Sequence, residues 1–344
     1  MLHDVKGSAG RVAPRVRASR IAPQARTLAS MALREYLTTE VGEDWLDGLI
    51  SRREAIRRLV LMGLTASAAA ALLDACAQAE RASAVAGTPS KPGQSAPAAA
   101  SVGALSAARG GPVDPAEAPN GRSISFAGPA GEIQGYLAEA TAPSGGMLVV
   151  HENRGLTDHI RSIARRLAAE GYTALAVDLL SREGGTASLG DPANVPAILA
   201  RAAADRLVAD LKAGVDELER RVPGGRLGTI GFCFGGGMVW ALLDAGESRL
   251  SAAVPFYGPA PERPDFSRDK AAVLAIYAEL DARVNTSRDR AVAALEAARL
   301  EYMVRTYPGV DHAFFNDTGG RYDATQAAAA WRDTLDWLAR HLRG

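Results

Sequence analysis

Cysteine and histidine are scarce in this chain. There are two cysteines and five histidines among 344 residues. Cys76 lies in a low-complexity stretch and Cys233 in a glycine-rich motif, so we predict no disulfide between them. No spacing of histidine and cysteine matches a metal site, and we predict neither a metal ion nor a cofactor.

An excess of charge of one sign is also missing. The chain has 39 Lys and Arg against 39 Asp and Glu, a formal net charge of +0. This balance gives no electrostatic reason to expect binding to nucleic acid or to an acidic surface. Hydrophobic residues make up 47% of the chain, enough for a substantial core in one large or two ordinary domains. No internal repeat is visible.

The N-terminal third differs in composition from the rest. We predict residues 1–50 to be an N-terminal extension, whose Arg-rich first part indicates an over-long gene model with Met31 as the true start. Residues 51–76 begin with the pair Arg52-Arg53 and continue into an apolar run, as in a twin-arginine export signal. We therefore predict an exported protein, either periplasmic or anchored on the outer side of the inner membrane. The run is too short and too rich in alanine for a membrane span.

Other interpretations of this segment stay open. A basic amphipathic helix that remains on the protein would show the same pattern, and the protein would then be cytoplasmic. If the segment is exported, the sequence before Cys76 resembles a lipoprotein cleavage box and leaves open a lipid anchor on that cysteine. Residues 77–120, rich in Ala, Ser, Gly and Pro, are predicted to be a flexible linker.

From residue 121 to 344 the apolar pattern predicts strands that alternate with helices. Such alternation is typical of a mostly parallel central sheet flanked by helices, an α/β fold. An N-terminal hairpin is predicted at Ser123–Phe126 and Glu132–Leu137. Further strands are predicted at 146–152, 173–178, 226–232, 252–257, 272–277 and 302–307, and helices at 158–171, 195–221, 285–298 and 324–342. Active sites of these folds lie beyond the carboxyl ends of the strands.

The glycine-rich sequence Gly231-Phe-Cys-Phe-Gly-Gly-Gly237 joins one predicted strand to a helix. A strand that enters a helix through G-x-C-x-G is the cysteine form of the nucleophile elbow. We expect Cys233 in a strained backbone conformation, with Gly231 and Gly235 allowing strand and helix to approach. The helix amino terminus favours a thiolate there.

Two polar residues follow later strands in the order that a catalytic triad requires. Asp281 comes after the strand at 272–277, and His312 after the strand at 302–307. The order Cys233, Asp281, His312 is that of the α/β-hydrolases. His312 can accept the thiol proton while Asp281 orients the imidazole. Taken singly, Asp281 could be a helix cap, His312 a structural histidine and Cys233 a small buried side chain.

Four motifs together resemble the dienelactone hydrolase (carboxymethylenebutenolidase) family: His151–Gly155, Asp178–Arg182, Gly231–Gly236 and Tyr307–Asp317. The resemblance covers residues from about 121 to the C-terminus. It implies an α/β-hydrolase fold with a Cys-Asp-His triad.

The same resemblance implies that Glu152 contacts the resting thiol and helps to generate the thiolate. A nearby carboxylate opposes the thiolate that the helix terminus favours, and the sequence does not rank the two effects. A salt-bridge role is the alternative for Glu152. We expect the oxyanion hole to come from the backbone amides of Phe234 and Asn153.

The substrate is less well defined by the sequence. Family members that act on dienelactone hold its carboxylate with arginines, and Asn316 occupies one such position here. The sequence does not place Arg182, Arg201 and Arg206, Arg154 can brace its loop, and Tyr257 can line the pocket or the core. A carboxylate clamp is therefore not predicted.

We predict a hydrolase that cleaves activated esters or lactones through a thioacyl intermediate. Two alternatives remain: a dehalogenase that uses the same site, and a non-catalytic thiol-sensing or binding module on the same fold. We expect a small-molecule ester or lactone as the partner, and the sequence does not give the oligomeric state.

Overall fold

The computed structural model describes residues 23–85 and 120–343. Three helices form the first of these parts, called here the N-terminal helices: α1 (Pro23–Leu46), α2 (Arg52–Leu61) and α3 (Ala66–Val85). The second part, called the catalytic region, contains β1 (Arg122–Gly128), β2 (Gly131–Ala138), β3 (Gly145–Val150), α4 (Asp158–Ala169), β4 (Tyr172–Val177), α5 (Val195–Leu199), α6 (Ala204–Arg221), β5 (Leu227–Phe232), α7 (Phe234–Asp244), β6 (Leu250–Phe256), β7 (Ala272–Ala278), α8 (Ala282–Asn285), α9 (Arg288–Ala298), β8 (Tyr302–Tyr307) and α10 (Ala324–Leu342).

All eight strands of the catalytic region belong to one sheet, in the order β1-β2-β4-β3-β5-β6-β7-β8. The strand pairs from β4 to β8 in this order are parallel, and β1 and β2 add an antiparallel edge. Every residue of β3, β4, β5 and β7 is buried. Such continuous apolar strands are typical of a parallel sheet covered by helices. The predicted mostly parallel α/β fold is confirmed.

The predicted hairpin and the predicted amphipathic helix after β3 are both present. Strands β1 and β2 pair from Arg122↔Leu137 to Gly128↔Gly131. Helix α4 buries Ile160, Ile163 and Leu167 against the sheet. This spacing of three and four residues places the three side chains on one helical face.

The N-terminal helices pack on the catalytic region. Leu37, Val41, Leu59 and Leu73 are buried in the same hydrophobic cluster as the sheet residues. Helix α1 contacts α6, and α2 contacts α5. Ser51 caps α2 by accepting a hydrogen bond from the Glu54 amide. These helices therefore bury apolar side chains on the domain that follows them.

Helices α2 and α3 contain the segment predicted as an export signal, and α3 continues to Val85, into the predicted linker. Alanine is frequent in α3, which favours helix. No helix within residues 23–85 or 120–343 is long and apolar enough to cross a membrane. The remainder of the predicted linker, residues 86–119, and the first 22 residues of the predicted extension lie outside the described residues.

Candidate active site

Cys233 occupies the sharp turn between β5 and α7. Its backbone has φ 58° and ψ −121°, an unfavourable region for a residue with a side chain. A Cβ on Gly231 would lie 2.2 Å from the Gly235 carbonyl oxygen, and one on Gly235 would lie 2.3 Å from the Val150 carbonyl oxygen. Only glycine fits at both positions. The predicted sharp turn between strand and helix is present, with its strain at Cys233.

Asp281 and His312 meet at the carboxyl ends of neighbouring strands β7 and β8. The Asp281 Oδ2 atom lies 2.6 Å from His312 Nδ1, and both side chains are buried. Asp281 Oδ1 also accepts a hydrogen bond from the Val284 amide at the start of α8. The helix-cap interpretation and the triad interpretation of Asp281 are therefore compatible. The cap fixes the carboxylate that faces the imidazole.

The other nitrogen of His312 faces the thiol. His312 Nε2, Cys233 Sγ and Glu40 Oε1 all lie within 4.8 Å of one another. His312 Nε2 is buried and makes no hydrogen bond to any described residue. Because Nδ1 is held by Asp281, this second nitrogen is the one that can exchange a proton with the sulfur.

Two residues of α1 also reach the sulfur. The Tyr36 hydroxyl lies 3.3 Å from Cys233 Sγ, and Sγ lies 3.7 Å from Glu40 Oε1, to which it donates. Sequence analysis missed both residues, since they fall in the predicted extension. Their spacing of four residues places them on one face of α1, but no motif in the sequence connects that face to Cys233.

The electrostatic environment of the site favours the protonated forms of both Cys233 and His312. Burial raises the pKa of the Cys233 thiol and Glu40 raises it further, while His312 acts in the opposite direction. Burial by itself would lower the pKa of His312, but the carboxylates of Glu40 and Asp281 outweigh it and raise this pKa well above its usual value. Both shifts favour the proton-bearing forms, a thiol on Cys233 and an imidazolium on His312.

Glu152 lies at the end of β3, beside the same cavity as Cys233. Its Oε2 atom accepts a hydrogen bond of 2.6 Å from Asn316 Nδ2, while Oε1 is buried without a partner among the described residues. Burial raises the pKa of this carboxyl group, against the opposing effects of His159 and Arg154. The role of Asn316 is thus to hold Glu152.

A cavity of about 220 Å³ opens onto the thiol. Glu152, Asn153 and Arg154 line it from the catalytic region, and Glu40 and Asp44 line it from α1. Phe234 begins α7 directly after the cysteine, so its amide lies at the helix amino terminus. The cavity is therefore lined by the predicted nucleophile Cys233 together with Glu152 and Asn153, which were predicted to act with it.

The arginines that the sequence left unplaced lie away from this cavity. Arg182 pairs with Asp210, Arg206 pairs with Glu183, and Arg201 donates to the Leu61 carbonyl oxygen of α2. Two other arginines, Arg154 and Arg321, line the cavity. Tyr257 is fully buried with its ring edge-on to His312 at 5.1 Å, so it supports the imidazole from the core.

Glu40, Cys233 and His312 are also the group, within the described residues, whose donor atoms are close enough to hold one metal ion. They are the same atoms that surround the thiol proton. The spacing of histidine and cysteine in the sequence predicted no metal site, and that spacing does not include Glu40.

Known proteins resemble this chain over the catalytic region. The family model described as the dienelactone hydrolase family matches residues 133–342. A Salmonella typhi protein whose name gives carboxymethylenebutenolidase as a provisional activity is 33% identical over 228 residues, covering 61% of this chain and 83% of its own length. A similarly named protein of Saccharolobus solfataricus is 28% identical over 254 residues, covering 64% of this chain and 98% of its own.

Solved structures of dienelactone hydrolase-like proteins also align with this chain. A provisionally assigned dienelactone hydrolase from Klebsiella pneumoniae aligns with TM-score 0.57 and 29% identity, over 64% of this chain and 98% of that one. A dienelactone hydrolase-like promiscuous phosphotriesterase from metagenomic libraries aligns with TM-score 0.54 and 25% identity, over 65% of this chain and 99% of that one. The chain belongs to the dienelactone hydrolase family, and it is a hydrolase that acts on ester or lactone bonds.

Proposed function

We propose that the chain cleaves activated esters or lactones by covalent catalysis, with Cys233 as nucleophile, His312 as base and Asp281 as the residue that orients His312. The observation that carries this proposal is the buried 2.6 Å contact between Asp281 Oδ2 and His312 Nδ1, in a cluster that includes the elbow sulfur. Each of the three residues follows its own strand at the same edge of the sheet.

In the first half of the proposed reaction, entry of the substrate lets the resting imidazolium of His312 release its Nε2 proton to the Glu152 carboxylate. His312 Nε2 then takes the thiol proton, and the sulfur attacks the carbonyl carbon. The oxyanion that forms is stabilised by the backbone amides of Phe234 and Asn153. The carbon–oxygen bond then breaks, and the departing oxygen takes the proton from His312. The acyl group remains on sulfur as a thioester.

In the second half, water attacks the thioester carbonyl carbon while His312 accepts a proton from it. Collapse of the tetrahedral intermediate breaks the carbon–sulfur bond, and the proton returns to the sulfur. A carboxylic acid leaves and the thiol is restored. Asp281 stabilises the imidazolium in both halves.

Glu152 keeps the role of an assisting carboxylate in this proposal. Its unpartnered Oε1 lies at the same cavity as the thiol. Asn316 fixes the other oxygen, so the carboxylate has a defined orientation. Displacement of the thiol from Tyr36 and Glu40 by a substrate would leave Oε1 available to receive the proton that His312 releases.

The test is a comparison of Cys233→Ala with Cys76→Ala on a panel of aryl esters, lactones and phosphotriesters. We expect Cys233→Ala to lose turnover by at least about a thousandfold, because the covalent route disappears. Cys76→Ala should retain wild-type rates. A thioester adduct on Cys233 should be visible by mass spectrometry in the wild-type chain. Hydrolysis by Cys233→Ala at wild-type rates would refute the proposal.

The same assays separate the alternatives. Release of halide from haloalkanes without ester hydrolysis would favour the dehalogenase, and a reactive Cys233 without turnover on any substrate would favour a thiol-sensing module. No contact among the described residues favours either over ester hydrolysis.

Export is a separate proposal, supported by Arg52-Arg53 and the apolar run that follows. In the exported form the native N-terminus would lie near Cys76, with or without a lipid on that cysteine. Recovery of the native protein with α1 still attached would contradict export with cleavage.

A further inference from the structure

Glu40 on helix α1 lies between the two side chains that must exchange a proton. Its Oε1 atom is 3.7 Å from Cys233 Sγ and 3.4 Å from His312 Nε2. All three side chains are buried. At these distances, and away from bulk water, a carboxylate interacts strongly with any charge on either partner.

The position of Glu40 is fixed from the catalytic region. Arg283 of α8 lies 2.6 Å from Glu40 Oε2 and also pairs with Glu43 of α1. The Arg283 guanidinium lies over the Tyr36 ring at 4.3 Å from its centroid, and the Tyr36 hydroxyl contacts the sulfur. Arg283 follows Asp281 by two residues, so the network that holds Glu40 is continuous with the one that holds His312.

We propose that Glu40 is a positioning residue of this active site, whose negative charge keeps Cys233 and His312 together in their proton-rich state in the resting chain. The proposal rests on the proposed function, since it assigns the same pair of residues to the chemistry. A carboxylate at this place favours an imidazolium and disfavours a thiolate. Substrate must then move or shield Glu40 before the pair can act.

Charges around the pair agree with this assignment. Burial opposes ionisation of Glu40, but His312 and Arg283 lower its pKa to about 2, so it is negative at neutral pH. The other titratable or charged groups that surround the pair are Tyr36 and Glu43 (α1), Glu152 (after β3), Tyr257 (after β6), Asp281 (before α8), Arg283 (α8) and Arg321 (before α10). Of the carboxylates, Glu40 is the one that contacts both reacting atoms.

The two residues titrate as a pair, and removal of a neighbouring negative charge lowers the pH at which the pair loses its first proton. The test is the pH dependence of alkylation of Cys233 by iodoacetamide, measured on the full chain carrying Cys76→Ala. We expect Glu40→Gln to lower the midpoint of this profile by at least about one pH unit. The rate at pH 7 should rise by about tenfold, since the reactive form is tenfold more populated per unit.

Glu43→Gln is the matched control. It removes a carboxylate that also pairs with Arg283 and so loosens α1 in a similar way, but Glu43 does not contact the sulfur or His312. Easier access through a loosened helix would raise the plateau rate in both variants and leave the midpoint unchanged. Glu40→Asp keeps the charge and should restore part of the wild-type midpoint.

An unchanged midpoint in Glu40→Gln, or an equal shift in Glu43→Gln, would overturn the proposal. Alkylation needs no substrate, so this result is separate from that of the ester assays. If Cys233→Ala retained hydrolysis, the proposed function would fail, while the alkylation profile would still report the influence of Glu40 on the thiol.

Discussion

The two described parts of the chain differ in structure and in what they contribute to the site. The catalytic region has an eight-stranded sheet, and the family match at residues 133–342 lies within it. The N-terminal helices have no sheet and lie before that match, yet they place Tyr36 and Glu40 against the Cys233 sulfur.

The charges of the two parts complement each other at their contact. Arg283 and Arg321 belong to the catalytic region, and their carboxylate partners Glu40, Glu43, Asp44 and Asp47 all lie on α1 or directly after it. Within the catalytic region, by contrast, Asp281 and His312 hold each other through a buried contact. The family fold thus brings Cys233, Asp281 and His312 to one edge of the sheet, and the additional helices place Tyr36 and Glu40 beside Cys233.

The comparison has a direct consequence for export. Cleavage near Cys76 would release α1 together with Glu40 and Tyr36. The exported form would then differ from the full chain in the protonation of its active site, as well as in its location.

The largest effect on activity is expected from a substitution of Asp281 in the catalytic region. Asp281→Asn keeps a good helix cap for α8 but no longer stabilises the imidazolium of His312. We expect kcat for ester hydrolysis to fall by about a thousandfold, measured by steady-state kinetics. Asp289→Asn, which alters an exposed carboxylate on α9, should leave kcat unchanged. A small effect at Asp281 would mean that the catalytic region does not supply the orienting carboxylate.

A second test compares two buried leucines, Leu37 on α1 and Leu148 on β3. Leu148→Ala should lower the free energy of unfolding of the catalytic region by about 2–5 kcal/mol, as usual for a buried leucine. Leu37→Ala should instead increase amide hydrogen exchange in the N-terminal helices and leave exchange in β3–β7 as in the wild type. Hydrogen exchange with mass spectrometry distinguishes the two. Equal destabilisation of the sheet by Leu37→Ala would show that the parts unfold as one unit.

The smallest effect is expected at Asp317, in the catalytic region before α10. A hydrogen bond from His159 and the Arg166 guanidinium lower the pKa of Asp317 to about 2. Because the folded value lies below the unfolded one, the stabilisation is present above about pH 4 and is lost as the pH falls toward 2. Asp317→Asn should therefore lower stability at pH 7 by about 1 kcal/mol, a value reduced by solvent screening.

Urea denaturation at pH 7 and at pH 3 measures the difference in stability between the wild type and Asp317→Asn. This difference should be smaller at pH 3. Asp47→Asn, which weakens a pair between the two parts, should alter exchange in the N-terminal helices without this dependence. A difference between Asp317→Asn and wild type that is constant with pH would contradict the assignment.

Much of the catalytic region could be predicted from local sequence. Continuous apolar runs predicted the parallel strands. Gly231 and Gly235 indicated the sharp turn, because a Cβ at either position would clash with a backbone carbonyl oxygen. Asp281 and His312 were found because parallel strands bring their carboxyl ends to one edge. The part played by Asn316 was not predictable, since its contact with Glu152 joins residues 164 positions apart.

The N-terminal helices were harder to interpret. A basic segment followed by an apolar run fits an export signal and a packed helix equally well, because both require the same hydrophobicity. The acidic face of α1 resembles a solvated surface in the sequence. Only the packing of α1 near the carboxyl ends of the strands places that face against Arg283 and Arg321.

The sequence by itself determined the α/β architecture, the sharp turn at Cys233 and the order of the three residues of the proposed triad, because each follows from local periodicity or from residues at strand ends. Tertiary structure alone decided that Tyr36 and Glu40 lie beside Cys233, nearly 200 residues further along the chain. A contact of this kind depends on how two helical surfaces dock, and docking is set by burial and ion pairs that no local pattern records.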